Sequence, residues 1–403
     1  MERLAIHGGV PVFEKMLGYG HQDIDDTDIE AVVETLRGDW LTCGPATERF
    51  EESIREATGA AYVTAVANGT AALHVACLAA GIGPGDEVVV SPVTFAASAN
   101  CVLYCGATPV FADIDSETWN VDPSAIEAAV TERTKAVIAV DFGGVPVDHA
   151  AIRAICDRHG LAFIEDAAHA IGTRAADGRP VGSVADVTCF SFHPVKTVTT
   201  GEGGAVATMD GRLARRVELF AKHGITRDRS LMRHSDEGGW YYEQLALGYN
   251  YRISDIEAAL GASQMRRLPE FSARRRKIVA YYDRVFAAIP EVSSQLDSIP
   301  ETTTRHLYCL RFDLGALHTT RRFVYEALRA EGVGVNVHYL PVYRLPYYAD
   351  LGYDQGCCTE ANLYYEEAVT IPLHCVMSDV DVEGVARAVR KVVATCRSGR
   401  GHV

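Results

Sequence analysis

From residue 61 to residue 210 the chain alternates short apolar runs with stretches whose apolar residues recur at helical spacing. The runs fall at 61–67, 87–91, 108–114, 136–140, 161–165, 187–192 and 205–209, each of a length that suits a buried strand. Helical patterns lie between them at 71–80, 96–104, 123–130, 149–159 and 213–222. Such alternation predicts an α/β domain with a mostly parallel sheet covered on both faces. Ligands of such sheets sit at the carboxyl ends of the strands. Ahead of this block, residues 1–24 carry Gly8-Gly9, Pro11, Gly18 and Gly20 and read as an irregular lead-in. A helix is expected from the acidic stretch Asp25–Asp28, which suits a helix amino terminus, through Val32, Val33 and Leu36. A loop with Trp40, Gly44 and Pro45 ends it, as a binding loop or a plain turn.

Past residue 255 the texture changes. One long helix is expected over 254–289, carrying the basic run Arg274–Lys277, and then a polar loop over 293–305. Strand-like segments at 306–314 and 334–339 flank a helix at 319–331, and a last helix covers 379–393. The expected organisation is a large domain over 1–255, lead-in included, and a smaller α+β domain over 256–403.

Bulk properties narrow the function. A net charge of −15 argues against a nucleic-acid or anionic-membrane partner, which needs a basic surface. Eleven cysteines without a C-x-x-C pair suggest neither a zinc site nor a disulfide framework, and no metal is expected. The start of the chain lacks a basic-then-apolar leader, and no apolar run is long enough to span a bilayer. These features point to a cytoplasmic enzyme.

Four places carry candidate chemistry. Asn68-Gly69-Thr70 directly precedes a helix, whose free N–H groups make a phosphate seat, although Asn or Thr there equally serves as a cap. Phe95 follows a strand and offers a flat face, or a core side chain. Asp166 ends an apolar run, where a carboxylate can keep a ring nitrogen positive or cap the next helix; His169 behind it is a ligand or a structural histidine. Lys196 lies in a segment with few charges, five residues after Ser191 and ahead of Gly201, Gly203 and Gly204. A partly desolvated lysine there can bond an aldehyde.

Taken together, these segments resemble the nucleotide-sugar aminotransferases of the DegT/StrS type, within fold-type I of the pyridoxal-phosphate enzymes. The resemblance is carried by Asn68-Gly-Thr-Ala-Ala-Leu73, Ser91-Pro-Val-Thr-Phe95, Glu165-Asp-Ala-Ala-His-Ala170, Ser191-Phe-His-Pro-Val-Lys196, Thr200-Gly-Glu-Gly-Gly204 and Gly248-Tyr-Asn-Tyr-Arg252. Within the family, Gly38–Pro45, Leu103–Asp113, Trp240–Glu243 and His169 look most like the branch that makes the UDP-4-amino-4,6-dideoxy sugar precursor of pseudaminic acid. Asp141-Phe-Gly-Gly-Val-Pro146 looks more like the wider family.

The resemblance implies roles. Lys196 would hold pyridoxal 5'-phosphate through its aldehyde, Asp166 would pair with the ring nitrogen and His169 would lie near the ring hydroxyl. Phe95 would stack on the ring. Gly69, Thr70 and Ser191 would bind the phosphate, joined by Asn250 of a partner subunit in a homodimer with shared sites. Lys222, His223, Arg252, His338 and Tyr339 are candidates for the keto-sugar nucleotide or for the carboxylate of a glutamate donor. Related sugar dehydratases carry a histidine where Lys196 stands, so the lysine points to amino transfer. Alternatives are another keto-sugar nucleotide or a keto-cyclitol as substrate and, from a different class, a non-catalytic regulator that retains the fold.

Overall fold

The computed structural model describes residues 2–234 and 236–398. Its large sheet consists of β1 (Tyr62–Val66), β2 (Glu87–Val90), β3 (Thr108–Phe111), β4 (Thr134–Val140), β5 (Ala162–Asp166), β6 (Val187–Ser191) and β7 (Gly204–Thr208). Their order across the sheet is β1-β7-β6-β5-β4-β2-β3, with β7 antiparallel to both neighbours and the other pairings parallel. The α/β class and all seven strands agree with the expectation from the apolar runs. Because side chains alternate across a strand, each run feeds two cores. Val88, Val90, Ala136, Ile138 and Ile164 pack beneath the helices Gly69–Ala80 and Ala97–Tyr104. Val89, Val137, Ala139 and Phe163 pack on the opposite face against Pro123–Ala129 and His149–His159. That alternation sends Asp166 and Glu165, neighbours at the end of β5, to opposite faces of the sheet.

Several expectations change. The single helix over 254–289 is two helices, Asp255–Arg266 and Leu268–Phe286. Pro269 lacks an N–H and disfavours a continuous helical path through the residues before it, so the helix breaks at Arg267. The polar stretch 293–305 opens with a short strand, Val292–Ser294, which pairs with Tyr308–Phe312. Ala368–Ile371 completes this three-stranded antiparallel sheet. The segment 334–339 is not a strand beyond one bridge from Asn336 to Thr370. There the Asn336 side chain accepts the Val337 N–H at 2.8 Å, diverting a donor that a ladder would use.

The lead-in places Leu4 in the carboxyl-terminal core, with Val12, Phe13 and Leu17 packed against it. Buried Glu331 accepts the N–H groups of Ala5 and Val12 and pairs with Lys391 at 2.8 Å. The loop around Trp40 leads into a helix that the pattern did not reveal, Pro45–Thr58. Its first turn is fastened from a distance. Asp255 accepts the N–H groups of Gly44 and Ala46 and the Thr47 hydroxyl, at 3.0, 3.2 and 2.6 Å. Asp255→Ala would strand two buried N–H groups and free a half-buried hydroxyl, so a loss of about 3 kcal/mol is expected, read by denaturant unfolding.

Candidate active site

At the carboxyl ends of β4, β5 and β6 lies a cavity of about 660 Å³. Its floor comes from the large sheet and its far wall from His306, Asn336, His338 and Tyr339. Of the residues expected from the sequence, Gly69, Thr70, Phe95, Asp166, His169, Ser191, Lys196, His338 and Tyr339 line it. Asn250, His223 and Arg252 are exposed outside it, and Lys222 pairs with Glu218 at 2.6 Å on the surface.

The phosphate-type seat is built by local chemistry. Asn68 caps the helix Gly69–Ala80 by accepting the Ala71 N–H at 2.8 Å. Among the described residues no protein group takes the N–H of Gly69 or Thr70, so capping and anion seating coexist. A Cβ on Gly69 would stand 2.8 Å from the Ser191 Cβ, so only glycine lets the helix start this close to β6. A Cβ on Gly204 would meet the Asn68 carbonyl oxygen at 2.4 Å, so Gly204 is a close-packed support for that seat.

Asp166 is buried, and the Ser98 hydroxyl and the Ala168 N–H donate to its two oxygens at 2.6 and 3.2 Å. Burial raises its pKa while the Ser98 bond and the Lys196 charge work the other way. Burial pushes the Lys196 ammonium down to about 8, against the pull of the Asp166 charge. His169 and His306 lie with ring centres 4.6 Å apart, and burial holds both well below the usual imidazole range. Burial takes His338 down to about 3, so these histidines are neutral hydrogen-bonding groups at working pH. Tyr339 sets its hydroxyl 3.3 Å from His169 Nε2.

Sequence reasoning missed Ser98, His306, Asn336 and Tyr19. Ser98 sits one helical turn after Phe95, a spacing that only the solved direction of β5 makes meaningful; the others come from distant segments with no motif. A lysine with a pKa of about 8 is half neutral there, and only the neutral amine attacks an aldehyde. Capture of pyridoxal phosphate by the apoprotein is therefore expected to quicken about tenfold per pH unit below that value and level off above it. Stopped-flow absorbance checks this; a rise continuing towards the ordinary lysine value would contradict it.

Comparison with known proteins decides the family. The model of the DegT/DnrJ/EryC1/StrS aminotransferase family matches residues 22–390. The chain belongs to that family. It is 42% identical to the spore coat polysaccharide biosynthesis protein SpsC of Bacillus subtilis, over 94% of this chain and 97% of SpsC. Helicobacter pylori PseC, an aminotransferase involved in the biosynthesis of pseudaminic acid, superimposes with a TM-score of 0.86 at 30% identity, covering 94% of this chain and all of PseC. The sugar aminotransferase Spr1654 of Streptococcus pneumoniae, in its PMP form, gives a TM-score of 0.88 at 30% identity, over 96% of this chain and 100% of Spr1654. Its PLP form matches as well.

This DegT/StrS family member is a pyridoxal-phosphate-dependent sugar aminotransferase, and its residues fit the cofactor. The open helix start at Gly69 and Thr70 suits a phosphate, and buried Asp166 suits a cationic ring nitrogen. Phe95, 64% exposed at the mouth, offers a face to a ring, and Lys196 offers an amine that sheds its proton readily.

Proposed function

We propose that the enzyme moves an amino group from glutamate to a UDP-4-keto-6-deoxy-N-acetylhexosamine, giving the 4-amino sugar. The observation that carries amino transfer is that Lys196 and Asp166 line one cavity, near enough for their charges to interact, together with an open helix start. The sugar rests on the branch-like segments at Gly38–Pro45 and Trp240–Glu243, on His169, and on the likeness to PseC.

Bound pyridoxal phosphate supplies an electron sink for the electrons left when a carbon-bound proton departs. Gly69, Thr70 and Ser191 hold its phosphate, and Asp166, oriented by Ser98 and Ala168, keeps the ring nitrogen charged. Phe95 covers one ring face, and His169 meets the ring oxygen. Lys196 would be the proton carrier, taking the proton from the donor's Cα and delivering it to the former aldehyde carbon on the other side of the donor's nitrogen. The reverse sequence delivers nitrogen to the keto carbon. His338 and Tyr339, on the far wall of the cavity, would meet the sugar.

The working unit is a homodimer in the cytoplasm. Asn250 is exposed, as are Leu247 and Trp240 at 79% and 78%, and apolar residues left bare in this way suit a surface that meets a second subunit. Lys222, bridged through the backbone to Asn250, reaches with His223 and Arg252 the nucleotide or the donor carboxylate across that interface. All eleven cysteines are free, as a reducing compartment requires. No helix among the described residues is long and apolar enough to cross a membrane.

Incubation with glutamate and UDP-4-keto-6-deoxy-N-acetylhexosamines of the gluco and L-altro series tests the reading. The expected result is 2-oxoglutarate and one UDP-4-amino sugar in equal amounts, identified by NMR. Turnover confined to keto-cyclitols or to a 3-keto sugar would replace the proposed substrate.

A further inference from the structure

The segment Asp141-Phe142-Gly143-Gly144, set apart above as typical of the wider family, has no place in the chemistry described so far. It follows β4 and runs beside the end of β5, where the Asp141 N–H donates to the Asp166 carbonyl at 3.1 Å. Gly143 and Gly144 have φ of 65° and 96°, which glycine adopts without strain. A Cβ on Gly144 would meet the carbonyl oxygens of Thr304 and His169 at 2.3 and 2.9 Å. The turn is therefore pressed between the two halves of the cavity.

Its hydrogen bonds point both ways. The Gly143 N–H donates to His169 Nδ1 at 3.3 Å, while the Gly143 carbonyl accepts the His306 N–H at 2.8 Å. A backbone N–H can only donate, so Nδ1 must be the bare nitrogen and Nε2 must carry the ring proton. Nε2 is the atom that faces the Tyr339 hydroxyl. The turn is pinned from below by Asp141, whose Oδ1 accepts the Val147 N–H at 3.0 Å.

The other oxygen, Oδ2, is buried and has no donor. It faces Glu165 and His149, with the three groups' polar atoms within 4.8 Å of one another. His149 Nε2 contacts Glu165 directly, and the Thr188 hydroxyl donates to the other Glu165 oxygen at 2.8 Å. This arrangement suits a hydrogen-bonded triad: His149 neutralises Glu165, and Asp141 keeps a proton on the oxygen that faces it. Burial and the charges of Glu165 and Asp166 raise the Asp141 pKa in the same sense.

We propose that Asp141 is a positioning residue of the active site: it fixes the turn whose Gly143 N–H locks His169 as the Nε2–H tautomer, a donor aimed into the cavity. The proposal rests on the reading of the cavity as the cofactor site only for what His169 donates to, the ring oxygen of pyridoxal phosphate. The tautomer itself belongs to the protein alone.

The test uses the apoprotein labelled with 15N-histidine, in which two-bond correlations distinguish Nε2–H from Nδ1–H, and His169→Gln assigns the signal. His169 is expected as Nε2–H between about pH 6 and pH 9. Asp141→Asn, which keeps the Val147 contact and stays neutral, should preserve that signature, and Asp141→Ala should mix the tautomers. If the alanine variant does not fold, Asp141→Ser, too short to reach Val147, takes its place. In the loaded protein, a weakened His169 donor should raise the midpoint of the visible band's pH titration by about one unit in the same variant. An Nδ1–H signal in the unaltered protein, or an alanine or serine variant that keeps the unaltered tautomer and midpoint, overturns the proposal. Absence of any visible band would instead sink the cofactor reading and leave the apoprotein result standing.

Discussion

Lys196→Ala is expected to lower amino transfer on the order of 10⁴-fold, about 5.5 kcal/mol of barrier, while the phosphate seat still binds the cofactor. The proposed seat, Gly69, Thr70 and Ser191, is shaped by the Asn68 cap and by the packing of Gly69 on Ser191, in which the lysine has no part. Borohydride should fix pyridoxal phosphate covalently to the unaltered protein, whereas from the variant the cofactor should wash out as its alcohol with nothing attached to the chain. A small added amine should restore part of the rate, since the variant lacks a proton carrier and not a fold. A variant with more than a tenth of the original activity would show that another group moves the proton.

Asp166→Asn is expected to slow the glutamate half-reaction about 10³-fold, because a neutral amide cannot hold the ring nitrogen positive. The contact with the Ala168 N–H survives in this variant, and the Ser98 hydroxyl can turn to accept. Asp166 is buried and its charge is costly without the cofactor, so the thermal midpoint of the apoprotein should hold or rise. Rapid-mixing absorbance gives the rate, and calorimetry of the apoprotein gives the midpoint. A normal rate with a lowered midpoint would make Asp166 structural.

How much of this was legible follows from how locally each feature is encoded. Strands buried on both faces need unbroken apolar runs, so β1 to β7 stood out, and with them the strand ends that carry Asp166 and Ser191 and lead to Lys196. The helix Pro45–Thr58 was not visible because a distant carboxylate, Asp255, anchors its start. The break at Arg267 was hidden because helical periodicity continues through it, and Pro269 acts only as the second residue of a new helix. Val292–Ser294 and Ala368–Ile371 are too short to carry a pattern and are strands only because Tyr308–Phe312 lies between them. Ser98 and His306 join the site by contacts across the fold, which no spacing records. Asn250 and Arg252 were marked by a motif and Lys222 and His223 by the family resemblance, and their own chain leaves all four outside the cavity.

The clasp around Glu331 has a consequence for the order in which the molecule is made. Ala5 and Val12 donate to a side chain more than three hundred positions later, and Lys391, which completes the clasp, accompanies the Val10 carbonyl at 2.9 Å. The strands of the large sheet span only 62–208 and can pair while synthesis continues. The lead-in is thus synthesised well before the residues that seat it. Until the closing helix emerges, Leu4, Val12 and Phe13 have no core to enter, and the wall of the cavity formed by His306, His338 and Tyr339 rests on an unfinished domain.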